Sequence, residues 1–79
     1  MIVFAPHAIR EMLRREISRE EALQCLNYGR LIIRQIVNGE TRYGKRIELK
    51  DKTIIVIYLY KDSTTKIITC YPIRRKRKW

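Results

Sequence analysis

The sequence predicts an α+β domain in which two N-terminal helices are followed by a four-stranded antiparallel sheet. Three observations carry this. Up to Gly29 the apolar residues recur at helical spacing, punctuated by Pro6, Ser18 and Gly29. Beyond Gly29 the period changes to two and β-branched residues dominate. Asn38-Gly39 then falls between two such runs, a strong hairpin signal because both turn positions need positive φ. The 79 residues are expected to form one domain over 1–73, with 74–79 a basic C-terminal tail. A chain this short buries only about 60% of its unfolded surface, so a shallow surface site is expected rather than a deep cofactor pocket.

Ile2-Val3-Phe4 is a short apolar lead-in, either a strand fragment or a staple under the first helix. The first helix is placed at 6–16, with Pro6 at its first position, where a missing N–H costs nothing. Ile9, Met12, Leu13 and Ile17 form its expected buried stripe, and His7, Arg10 and Arg14 lie roughly opposite. Ser18 with Glu21 reads as a capping box, so the second helix starts near Arg19, carries Ala22, Leu23 and Leu26 inward, and stops at Gly29 as a C′ residue. Strands follow at 31–37, 40–49, 53–60 and 66–71. Gly44 weakens or bulges the second, 50–52 and 61–65 are polar turns, and Pro72 ends the last. Ile55, Ile57 and Leu59, with Ile68 and Cys70, are expected to face the helices. Val56, Tyr58, Tyr60, Thr69 and Tyr71, joined by Tyr43, would then form a hydroxyl-bearing surface opposite.

Lys plus Arg outnumber Asp plus Glu by 18 to 8, for a formal net charge of +10. Such a balance points to a polyanionic partner such as nucleic acid, or to an acidic protein, with an anionic membrane surface a further option. Cys25 and Cys70 are far apart and lack CxxC spacing, and a single His cannot complete a zinc site. Two reduced thiols in a cytoplasmic protein are expected. There is no signal-peptide h-region and no apolar run approaching the ~20 residues of a membrane span. P-loop, dinucleotide, zinc-helix and nucleophile-elbow signatures are missing, as is an acidic cluster for Mg²⁺, so no cofactor and no metal are expected.

A nuclease of this kind would work by acid–base chemistry on RNA, whose 2′-OH supplies the nucleophile. His7 is its candidate acid or base, and Arg10 and Arg14 its candidate phosphate clamps. Tyr43, Lys45 and Arg46 lie together in the second strand, Lys45 and Arg46 on opposite faces. Thr69 and Tyr71 share a face of the last strand and are suited to hold a phosphate oxygen or stack a base. Arg74, Arg75, Lys76, Arg77 and Lys78 are candidate phosphate contacts in the tail. The blander counterparts are a capping or surface histidine, a solvated arginine face, cross-strand packing and a solubility tail.

His7-Ala8-Ile9-Arg10-Glu11-Met12, then Arg15-Glu16-Ile17-Ser18, resembles the HAxxRMxxRxIS opening of the domain of unknown function family 4258. The helix ending near Gly29, the Arg42-Tyr43-Gly44 strand and Ile67-Ile68-Thr69-Cys70-Tyr71, similar to the family's closing V-I-T-V-Y strand, extend the resemblance over nearly the whole chain. Glu16 departs from it, standing where the family often has glycine, and Cys70 replaces an aliphatic residue. The resemblance implies kinship with the barnase/colicin/RelE-like fold of small ribonucleases and toxins. It implies a site of His7, Arg10, a basic residue near Lys45 or Arg46, and Thr69. The expectation is a small basic RNA-binding protein that acts as a metal-independent endoribonuclease of toxin type. Its rivals are a non-catalytic nucleic-acid-binding module and a subunit that docks an acidic antitoxin-like protein. With helices on one sheet face and Thr69 and Tyr71 on the other, the site would have to sit at a sheet edge, beyond the helix end.

Overall fold

Ile2-Val3-Phe4, β-branched and aromatic, forms a strand before any helix begins. The computed structural model describes residues 1–73 and runs β1 (Ile2–Phe4), α1 (Pro6–Arg14), α2 (Arg19–Tyr28), β2 (Arg30–Val37), β3 (Glu40–Glu48), β4 (Thr53–Lys61), β5 (Thr64–Ile73). The strands form one five-stranded sheet in the order β1-β5-β4-β3-β2. β1 runs parallel to β5, and the remaining neighbours are antiparallel. The expected pair of N-terminal helices followed by a four-stranded antiparallel sheet is therefore corrected: the sheet is mixed, has a fifth strand, and that strand precedes the helices. Three residues are too few to show a period of two, so the identity of β1 comes from its distant partner. Ile2, Val3 and Phe4 align with Thr65, Lys66 and Ile67. The Thr65 N–H donates to the Met1 carbonyl and the Ala5 N–H to the Ile67 carbonyl, each at 2.9 Å.

α1 packs through Ala8 and Met12, while Ile9 and Leu13 are exposed, Leu13 by 77%. The buried stripe is thus rotated from the expected one. Alanine at position 8 lets the helix backbone approach β5 closely, and the larger Ile9 is left at the margin. The helix ends in a Schellman motif: the Ile17 N–H donates to the Met12 carbonyl at 2.9 Å and the Glu16 N–H to the Leu13 carbonyl at 3.4 Å. This puts Glu16 at φ 56°, in the left-handed region that favours glycine. Asp62 (φ 51°) and Ser63 (φ 63°) form a two-residue turn in the same region between β4 and β5, as Asn38 and Gly39 do between β2 and β3. Glu16→Gly and Ser63→Gly are each expected to stabilise the protein by about 0.5–1 kcal/mol, read as a shifted urea midpoint at constant slope.

The capping box of α2 is complete. Ser18 Oγ accepts from the Glu21 N–H at 3.0 Å, and Glu21 Oε1 accepts from the Ser18 N–H at 2.9 Å and from Lys52 Nζ at 3.1 Å. The Ser18 N–H foremost, with the Lys52 ammonium, holds the Glu21 carboxyl below its ordinary 4.5. A depressed carboxylate stabilises fully above its unfolded pKa, and that contribution fades as pH falls through the lower folded value. Glu21→Gln should therefore cost about 1 kcal/mol at pH 7 and weaken the acid dependence of unfolding below pH 4.5, measured by urea titration at several pH values.

Sheet register decides which side chains meet the helices. Ile54, Val56, Tyr58, Ile67 and Cys70 join Ala8, Met12, Ala22, Cys25 and Leu26 in one core. Cross-strand partners share a face, so Gly44, Ile57 and Thr69, and likewise Arg46, Ile55 and Tyr71, lie on the side without helices. The expected faces of β4 are thus one residue out, because Ile54-Ile55-Val56-Ile57-Tyr58-Leu59 is apolar on both sides and alternation cannot choose between them. In β5, Ile57 pairs with Thr69 and Tyr58 with Ile67, which leaves Ile68 as a bulge. The bulge turns both Ile67 and Cys70 inward.

Candidate functional site

Both tight hairpin turns lie at one end of the sheet, and there the helix-free face is cationic. Arg42 precedes Gly44 by two residues and so shares its face. Lys61 follows Leu59 by two, and Lys66 is the cross-strand partner of Leu59. β1 is only three residues long, so the chain leaves the sheet at Ala5, and Pro6 starts α1 beside the bulge at Ile68. His7 therefore sits at the sheet edge with its side chain exposed at the helix N-terminus. The result is a cleft of about 260 Å³ lined by Ala5, His7, Glu40, Arg42, Leu59, Lys61, Lys66 and Ile68. Ala5, Leu59 and Ile68 are its apolar lining. Three cations, one carboxylate and the His7 imidazole line it together.

The Arg42 Nε is fully buried and has no hydrogen-bond partner. A buried guanidinium N–H without an acceptor carries a desolvation cost of about 1–3 kcal/mol. A phosphate suits this setting: Arg42 offers a forked donor, and Lys61 and Lys66 add charge. His7 and Glu40 place an imidazole and a carboxyl group at the same cleft.

Of the residues singled out in the sequence, His7 alone lines this cleft. Arg10 lies one turn further along α1, about 4.5 Å along the axis, and is exposed. Arg14 donates to Glu11 Oε1 at 3.1 Å, a carboxylate also contacted by Arg15 at 3.2 Å. Lys45 is turned to the helix side, where its Nζ donates to the Leu26 carbonyl at 2.8 Å and lies 5.9 Å from the Tyr58 ring centre. Arg46 is on the helix-free face and pairs with Glu48 at 3.4 Å. Thr69 and Tyr71 share that face but stand further from the hairpin end, opposite Ile57 and Ile55. Tyr43 stacks on Tyr58 on the other side of the sheet. Arg74, Arg75, Lys76, Arg77 and Lys78 lie outside the described residues.

Arg42, Lys61, Lys66 and Glu40 were not singled out by sequence reasoning. Their signal was a two-residue turn at Asp62-Ser63, which sets Lys61 and Lys66 on one face; reading 61–65 as a polar loop conceals it.

Cys25 and Cys70 are free and buried. Burial pushes the Cys25 thiol to about 11 and the Cys70 thiol to about 12, so neither offers a ready thiolate. Cys25 Sγ donates to the Lys45 carbonyl at 3.2 Å, a structural contact. Among the described residues no three His, Cys, Asp or Glu side chains are grouped to hold a metal ion. No described helix is long and apolar enough to cross a membrane.

Residues 4–72 match the family described as Domain of unknown function (DUF4258), and the chain belongs to that family. No curated protein matches the chain.

Proposed function

We propose that this DUF4258 chain is a small cytoplasmic RNA-binding protein that receives a phosphodiester in the His7 cleft and cleaves single-stranded RNA there without a metal. The observation that carries the reading is the meeting of His7 with Arg42, Lys61 and Lys66 in one cleft beside Glu40. The net charge of +10 supports a polyanionic partner, and the three cations lining one cleft support an anion at this particular place.

In the proposed reaction Glu40 takes the proton from the ribose 2′-OH as its oxygen attacks phosphorus. The bond from phosphorus to the 5′-oxygen breaks, and His7 delivers a proton to the departing oxygen. The products are a 2′,3′-cyclic phosphate and a free 5′-OH. Arg42, Lys61 and Lys66 hold the charge that gathers on the non-bridging oxygens.

The test is incubation of the purified chain with single-stranded RNA in EDTA, beside the same sequence as DNA. Cleavage of RNA to cyclic-phosphate ends, with DNA left intact, supports the reading. RNA bound but uncut, with affinity lost by Lys66→Ala, reduces the protein to a phosphate-binding module. No binding and no cleavage removes the reading.

A further inference from the structure

A second cleft, of about 320 Å³, opens at the same end of the sheet, lined by Gly39, Glu40, Thr41, Tyr43, Tyr60 and Lys61. Glu40 and Lys61 line both clefts, so they form a common rim. Across that rim, on the face that carries the helices, the surface changes character from cationic to aromatic. Tyr43, Tyr58 and Tyr60 are in mutual contact, with ring centres 5.6, 5.6 and 5.7 Å apart. Tyr58 is buried and anchors the group, but Tyr60 is 63% exposed. Its ring is braced by two neighbours while the rest faces the cleft and water, so a flat ligand meets a surface whose ordering cost is already met. A tyrosine in a core needs no such exposure, and with Tyr58 buried and Tyr43 half-buried, Tyr60 is the most open ring of the three.

We propose that this second cleft is a nucleobase subsite, in which a base of single-stranded RNA stacks on Tyr60 while a phosphate of the same strand occupies the His7 cleft. The inference rests on the phosphate reading above. The two clefts open on opposite faces of the sheet and meet at its hairpin end through Glu40 and Lys61, so a strand of RNA passing over that end can offer a phosphate to one cleft and a base to the other. Lys61 contacts the phosphate from the rim. The Glu40 carboxylate accepts from hydroxyl or base N–H donors and keeps a second phosphate out of the aromatic cleft. Stacking is tolerant of base identity, so the subsite adds affinity without strict sequence preference.

The test uses two short 2′-O-methyl oligoribonucleotides, which lack the attacking hydroxyl. One carries normal bases and the other is abasic at its central positions. Affinity is read by fluorescence anisotropy. The wild-type chain is expected to prefer the base-bearing oligomer by about tenfold or more. Tyr60→Leu should bring that ratio close to one, and Tyr60→Phe, which keeps the ring, should retain it. Equal affinity for both oligomers in the wild type, with Lys66→Ala still weakening both, overturns the stacking subsite and leaves the phosphate reading in place. A ratio unmoved by Tyr60→Leu also overturns it. Failure to bind either oligomer overturns both.

Discussion

Alanine at His7 is expected to slow cleavage of single-stranded RNA in EDTA by about 10²–10⁴-fold, the range for loss of a positioned acid or base. Binding should persist, because Arg42, Lys61 and Lys66 remain to hold the phosphate. The exposure of His7 matters for the control: a side chain at the open N-terminus of α1 carries little packing, so the variant should unfold at nearly the wild-type urea midpoint. Glu40→Gln should slow cleavage over a similar range while leaving binding in place. A His7→Ala enzyme with unchanged turnover would falsify the mechanism and return His7 to a surface position.

Gly29→Ala is expected to destabilise the fold by about 2–3 kcal/mol, the upper part of the usual cost of overpacking. Glycine at a helix end ordinarily answers a need for positive φ, but here φ is −70° and ψ 163°, which alanine adopts freely. The need is for space. A Cβ on Gly29 would run into the Cys25 carbonyl oxygen, lie 3.0 Å from the Arg46 carbonyl oxygen and 3.2 Å from Cys25 Sγ. Two of these are backbone atoms, held by the last turn of α2 and by β3, and they cannot swing aside. Gly39 is the contrasting case: it has φ 80° and nothing within 4 Å of a built Cβ, so Gly39→Ala acts through the backbone conformation alone. Equilibrium urea unfolding of Gly29→Ala reads the effect directly, and a midpoint equal to that of the wild type would show that α2 can lift from β3 at no cost.

Local chemistry with its partners close in sequence was legible. The Ser18–Glu21 capping box, Pro6 at the start of α1 and the Asn38-Gly39 turn all depend on neighbours within a few residues, and all stand where the sequence placed them. What escaped depends on distant partners. The strand nature of Ile2–Phe4 is conferred by Thr65, Lys66 and Ile67. The facing of β4 is set by which of two apolar sides the helices cover. His7 was readable as a candidate, an imidazole in a basic chain, but its companions in the cleft were not. Arg42, Lys61 and Lys66 meet it only through a register, a bulge at Ile68 and a chain crossing at the sheet edge. Arg10 and Arg14 share a helix flank with His7, and that flank runs away from the cleft, so proximity in sequence was a poor guide to proximity in space.

The parallel pairing of β1 with β5 makes the cleft a meeting of the two ends of the described chain. Ala5 and His7 come from one end, Lys66 and Ile68 from the other, and three paired residues join them. A short edge strand can fray while the strands inside it keep their ladders, so the cleft can come apart in an opening far smaller than global unfolding. The integrity of the cleft is then a local equilibrium layered on the stability of the domain. An anion bridging His7 and Lys66 would act as a clasp across that seam, drawing the first strand against the last and slowing the exchange of the Ala5 and Thr65 amides with solvent.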